Sequence, residues 1–317
     1  MRVPDEVAEI IKDIEEIKIQ GATAVAEACF EGLKIYLRGY KGGDKSVELA
    51  MVDVEKMGLK LVHARPNEPL ARNGLKYLLN TFKIRYPSEE NWEMTKAHLI
   101  SIMDEFLELL ASSKTRIVEV GANNFADLEG ILTHCHSSTV ENVCREISAR
   151  RGEGVFSVVA TETRPLFQGR ITAKNMLKAG LDVKLIVDSA VTSFLVGDWD
   201  IPIDVVFIGC DEITVSGDTV NKVGSYGVAL SAYYAGKPVY VVGTLLKLDP
   251  STIYDRPRIE MRGRDEVWPD APEGLEIINP AFEIIPKEFI SGFVTEFGVI
   301  EPKNVEKELG EHYDWLW

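Results

Sequence analysis

Cys135 stands between two histidines, in His134-Cys135-His136-Ser137-Ser138, directly after the apolar run 131–133. A cysteine where a strand gives way to a helix feels the positive end of the helix dipole, which favours its thiolate. The polar neighbours His134, His136 and Ser137 are placed to tune it, and the plainer alternative is an inert buried thiol. Asp211 follows Val205-Val206-Phe207-Ile208-Gly209-Cys210 without a break. A carboxyl at the end of an apolar strand loses water, its pKa rises, and it becomes suited to donate a proton. Its plainer role is a cap or a structural hydrogen bond. Other apolar runs also end in polar groups: Glu162-Thr163-Arg164, Asp188-Ser189, Asp211-Glu212 and, a little farther on, Lys247. One such end would be unremarkable, whereas four or five make a site.

Other constellations fail on their spacing. His134 and His136 flank a cysteine, but alternate residues at a strand end point in different directions, so no metal site is expected. Cys29, Cys135, Cys144 and Cys210 contain no CxxC pair, which leaves neither a disulfide framework nor a zinc knuckle. Cys29 and Cys144 fall in amphipathic helices and read as packing, and Cys210 prolongs an apolar run and reads as core. Residues 39–46 resemble a phosphate loop, yet Asp44 occupies the position that needs glycine, and a helix precedes it where a strand should. No GxGxxG follows any strand, so there is no dinucleotide fingerprint.

The elements that must position these groups come in two kinds. Apolar residues at helical spacing cover 3–40, 46–61, 69–82 and 88–113, with Ser88 a candidate N-cap for the last. After about residue 115 come short apolar runs at 131–133, 155–161, 183–187, 205–208, 238–242, 282–286 and 292–295. Helical stretches lie between them at 139–150, 172–179, 189–195 and 224–235. Strands apolar on both faces, alternating with helices, imply a parallel, doubly wound sheet. The expected α/β architecture is an N-terminal helical domain, 1–114, followed by a Rossmann-like, mostly parallel sheet domain, 115–317. In such a sheet, ligands bind beyond the carboxyl ends of the strands at a topological switch point.

A chain of 317 residues buries about three quarters of its unfolded surface and exceeds the usual single-core limit, which favours two domains. Thirty-five basic against fifty acidic residues leave −15, a charge that repels nucleic acid. Any phosphate site has to be a local concentration of cations and helix N-termini. No apolar run nears the roughly 18 residues of a membrane span, and the first residues lack a signal-peptide core. The expected location is the cytoplasm, with no membrane partner. The tail Tyr313-Asp314-Trp315-Leu316-Trp317 is too apolar for a solvated end. It belongs to an interface or packs on the helical domain.

Several ordered blocks match a known family. They are Gln20-Gly21-Ala22-Thr23, Ala64-Arg65-Pro66, Thr133 to Ser137, Thr161-Glu162-Thr163-Arg164-Pro165 with Gln168-Gly169, Val187 to Ala190, Gly209 to Thr214, Val220 to Gly224, Asn279 to Pro286 and Thr295 to Ile300. The chain resembles the superfamily uniting the regulatory alpha, beta and delta subunits of initiation factor 2B, 5-methylthioribose-1-phosphate isomerase and archaeal ribose-1,5-bisphosphate isomerase. Retention of both Cys135 and Asp211, which the regulatory subunits generally lack, and the stretches His134 to Ser137 and Ile259 to Phe282 look most like the last.

The resemblance implies an aldose–ketose isomerase that converts ribose 1,5-bisphosphate to ribulose 1,5-bisphosphate, without metal or redox cofactor. Asp211 would be the acid and Cys135 the base. It also implies a substrate-binding set of Gln20, Gly21, Ala22, Thr23, Arg65, Ser137, Ser138, Asn221, Lys222 and Lys247, a role in nucleotide salvage with AMP as activator, and a homodimer or hexamer. Two positions depart from the pattern: Gln20 stands where the family usually has Arg, and Ser138 where such isomerases carry a basic residue. These two favour the alternatives, a non-catalytic regulatory subunit that binds initiation factor 2 alpha or a different sugar phosphate such as 5-methylthioribose 1-phosphate.

Overall fold

Chain contacts in the computed structural model divide the protein into two units, residues 1–112 with 246–249 and 309–317, and residues 113–245 with 250–308. The structure describes residues 3–40, 46–152, 154–197 and 199–317, so residues 41–45 of the failed phosphate loop and its glycine turn lie outside the described residues. Where the sequence pattern suggested a single cut near 114, the chain rejoins the helical unit twice. Asn73 explains one return: its side-chain amide donates to the carbonyls of Leu246 and Leu248 at 2.7 Å each.

The first unit is built from α1 (Asp5–Glu15), α2 (Ala22–Gly39), α3 (Val47–Val62), α4 (Pro69–Arg85) and the first part of α5 (Trp92–Asn124). The helical run expected over 3–40 is two helices, because Ile17 takes φ 59 and ends α1. Ser46 caps α3 by accepting from the Leu49 amide, and Pro69 opens α4 at a position where its missing N–H is not needed. The cap of α5 is Asn91, whose side chain accepts from the Met94 amide at 3.1 Å, rather than Ser88. This helix also runs past 113, because Ile117 and Ala122 carry its apolar stripe into the core of the second unit. The aromatic tail packs within the first unit: Trp315 stands edge-on to Tyr77 at 5.0 Å and Leu316 is fully buried.

The second unit alternates β1 (Gly130–His134), α6 (Ser138–Arg151), β2 (Ser157–Thr161), α7 (Gln168–Lys178), β3 (Asp182–Ile186), α8 (Val191–Val196), β4 (Val205–Ile208), β5 (Glu212–Thr214), β6 (Thr219–Lys222), α9 (Ser225–Tyr234) and β7 (Val239–Val242). The short β8 (Leu248–Asp249) belongs to the first unit. Then follow β9 (Phe282–Ile285), β10 (Gly292–Thr295), β11 (Gly298–Ile300) and α10 (Val305–His312). Seven strands form one sheet in the order β11-β10-β7-β4-β1-β2-β3, parallel except for β11. Strands β1, β2 and β4 are buried along their whole length, as expected of a sheet covered on both faces. The run 282–286 is a correction to the expected sheet: β9 leaves it and pairs antiparallel with β6, Lys222 opposite Phe282 and Thr219 opposite Ile285. Strand β5 pairs with β6 on its other side. No helix among the described residues is long and apolar enough to cross a membrane.

Candidate active site

The sheet order places the site. From β1 the chain winds outward through β2 and β3, then returns to lay β4 on the other side of β1 and winds outward again. Strands β1 and β4 therefore flank the switch point, with His134 opposite Ile208 at their carboxyl ends. A crevice opens beyond such neighbouring ends. Cys135 is the first residue past β1, and Asp211 lies just past β4, where its amide donates to the Val220 carbonyl at 2.9 Å.

Cys135 sits at φ 71, a left-handed conformation that a non-glycine residue adopts at some cost. Hydrogen bonds hold it there. Its amide donates to Thr163 Oγ1 at 2.9 Å, and its carbonyl accepts from Thr172 Oγ1 at 3.0 Å. Burial pushes the thiol up to about 12; Lys222 and the His136 amide pull it down, while Asp211 and Asp188 push it further up. The expected thiolate-favouring environment is thus overruled. The helix dipole acts, but desolvation of the sulfur outweighs it. The charge effects of Asp211 and Lys222 also show that both stand near the thiol.

Lys222 is buried, with its ammonium 4.6 Å from the centre of the Phe282 ring. Among the described residues it has no ion-pair partner, which leaves a desolvated cation facing the thiol. Just behind it, the main chain is clamped. Glu283 accepts from the amides of Gly224 and Tyr226 at 2.8 and 2.6 Å, and burial raises its pKa. His134 completes the clamp. It is buried, its Nε2 lies 2.9 Å from the Val223 carbonyl, and its Nδ1 lies 2.7 Å from Thr161 Oγ1. A carbonyl only accepts, so Nε2 carries the hydrogen and Nδ1 accepts from the threonine. Burial lowers the pKa of His134, so the ring is neutral.

The other expected residues divide. Ser137 accepts from the Val140 amide as the N-cap of α6, and Ser138 is the exposed first residue of that helix. The side chain of Asn221 is committed to Ser225 at 2.8 Å. His136 turns away from His134 to Glu141, 2.9 Å off, so the two rings serve different structures. In the first unit, Gln20 and Gly21 are exposed, and Ala22 and Thr23 form the first turn of α2, which no side chain caps. Arg65 is buried and ion-paired with Glu68 at 3.3 Å. Lys247 is half-buried in the same unit.

Two residues take roles that the sequence reading did not assign. Asp188 accepts from the amides of Thr163 and Arg164 at 2.7 Å each, bracing the loop that holds Cys135. Among the described residues, the buried side-chain oxygen of Gln168 has no hydrogen-bond partner, an orphan that a ligand hydroxyl would satisfy. The block containing Gln168-Gly169 was the available signal for it.

Known proteins place the chain. It is 33% identical to a ribose 1,5-bisphosphate isomerase of Pyrococcus furiosus, over 98% of this chain and 95% of that one. The 5-methylthioribose 1-phosphate isomerase structure from Pyrococcus horikoshii superposes with a TM-score of 0.76 at 26% identity, covering 96% of this chain and 88% of that one. The translation initiation factor eIF-2B structure from the same organism gives 0.76 at 23% identity, over 94% and 98%. Residues 18–302 match the pattern of the initiation factor 2 subunit family, and the chain belongs to that family.

Proposed function

We propose that the protein is a sugar-phosphate isomerase that converts ribose 1,5-bisphosphate to ribulose 1,5-bisphosphate. The observation that carries this reading is the placement of Cys135 and Asp211 at neighbouring strand ends by the switch point, with the charges of Asp211 and the buried Lys222 both acting on the thiol. Esterification of the anomeric oxygen blocks simple ring opening to an aldehyde. An acid therefore has to protonate the ring oxygen while a base takes the C2 proton, giving an enol that becomes the ketose. Asp211 is the acid and Cys135 the base. With the thiol held near 12, the resting proton sits on sulfur. Transfer of that proton to Asp211 arms the base and the acid together, and Lys222 stabilises the thiolate that results. Phosphate ligands in the first unit, the α2 N-terminus with Arg65 and Lys247, rest on the family resemblance, as does activation by AMP.

The purified protein with ribose 1,5-bisphosphate is expected to yield ribulose 1,5-bisphosphate, and no product under any activation would sink the reading. The structural likeness to 5-methylthioribose 1-phosphate isomerase supports a second substrate, so both sugars belong in one competition assay. Uncharged Gln20 and Ser138 favour the regulatory reading, which a pull-down against initiation factor 2 alpha, run beside the assay, separates.

A further inference from the structure

We propose that His134 is a positioning residue that ties the Lys222 ammonium to the Cys135 thiol. This rests on the reading of Cys135 as the base. His134 precedes Cys135 on β1, and its Nε2–H donates to the carbonyl of Val223, the residue after Lys222. The other ring nitrogen accepts from Thr161 Oγ1, which lies 3.2 Å from Thr163 Oγ1, and Thr163 in turn accepts from the Cys135 amide. A chain of hydrogen bonds therefore runs from the Cys135 backbone through two threonines and the imidazole to the carbonyl of Val223, the residue bonded to Lys222.

The backbone is shaped for this contact. Gly224 has φ +105, and a Cβ there would lie 2.6 Å from His134 Cε1 and 2.7 Å from Nε2. The chain passes so close to the ring edge that only glycine fits. The charged groups acting on the imidazole are Asp188 and Lys222. Because Lys222 lowers the pKa of Cys135, releasing the 222–224 loop withdraws that help and leaves less thiolate at a given pH.

The test is the alkylation rate of Cys135 by iodoacetamide at fixed pH, followed by peptide mass spectrometry on the full chain. Glutamine places a donor where Nε2 stands, whereas asparagine is too short to reach Val223. Lys222→Met and His134→Asn should each slow alkylation about threefold or more, while His134→Gln keeps most of the wild-type rate. Thr161→Val, which removes only the hydroxyl that orients the ring, should slow it in the same direction and covers the case in which His134→Asn does not fold. Wild-type rates in both His134→Asn and Thr161→Val, or in Lys222→Met, overturn the proposal; so does equal slowing by asparagine and glutamine. With ribose 1,5-bisphosphate, His134→Asn should lower kcat about tenfold with KM changed little, and His134→Gln should restore it. Lack of turnover in the wild type counts against the isomerase reading alone, because the alkylation comparison needs no substrate.

Discussion

Burial raises the Cys135 thiol to about 12 and Lys222 opposes it, so the free site holds its proton on sulfur at neutral pH. A serine there has no accessible anion, and an asparagine at 211 has no proton to give. Cys135→Ser and Asp211→Asn are each expected to lower kcat by about 10²–10⁴-fold with KM changed little, as steady-state kinetics would show. A comparable rate in either variant would remove that residue from the chemistry. His134 makes a separate pH prediction. Its folded pKa lies below the ordinary 6.5, so between the two values the unfolded chain binds a proton that the folded chain refuses. This contribution to stability is complete above about pH 6.5 and is lost as pH falls below it. Urea midpoints at pH 7.5 and 5.5 should therefore differ more in the wild type than in His134→Gln. The placement of Cys135 and Asp211 at neighbouring strand ends was legible in the sequence because each follows an apolar run directly. The work of His134 was not, because its partner Val223 lies 89 residues away and the same His-Cys-His spacing suits several roles. The direction of the Cys135 shift was misjudged for a related reason: a sequence shows where a helix starts but not how deeply the sulfur is buried.

At the scale of elements, the junction between β2 and α7 sets the geometry of the site. A Cβ on Gly169 would stand 1.7 Å from the Thr161 carbonyl oxygen and 2.9 Å from Thr163 Oγ1. The first of these is backbone and cannot swing aside. Gly169→Ala therefore has to lift α7 from β2, disturbing the two threonines that hold His134 and Cys135. The expected loss is about 3 kcal/mol or more, at the upper end for overpacking, and turnover should fall with it. Gly227 in α9 is the matched control, since a Cβ there meets nothing within 4 Å. Gly227→Ala should stabilise by about 0.5–1 kcal/mol in the same urea titration. Equal effects of the two would refute the steric account. The central parallel strands β1, β2 and β4 were readable because both faces of each are buried, which writes an unbroken apolar run. Strands β5 and β6 were not, because both are short, and β6 contains Thr219, Asn221 and Lys222 and pairs with β9 some sixty residues on. The break at Ile17 was equally hidden, since the apolar spacing continues across it.

For the whole molecule, the aromatic tail bears on assembly. Leu316 is fully buried and Tyr313 nearly so, and Trp315 rests on Tyr77 and Phe106, all inside the first unit. Most of its apolar content is thus accounted for within the protomer, with Trp317 half exposed, so a homodimer or hexamer of the kind the resemblance implies would draw most of its contact area from elsewhere. Leu316→Ala should lower stability by about 2–5 kcal/mol, the range for emptying a packed leucine site. It should leave the light-scattering mass at the wild-type multiple of the protomer. Net charge adds a second condition. Each copy carries −15, so copies repel one another at long range, and salt shortens that repulsion to about 10 Å at 0.1 M and about 3 Å at 1 M. An assembly held by apolar contact should therefore keep or raise its mass multiple as salt goes from 0.05 to 0.5 M. Collapse to a single protomer mass at high salt would assign the contacts to ion pairs instead. A single protomer mass at every salt concentration would contradict assembly outright, and a fall in mass on Leu316→Ala would return the tail to the interface.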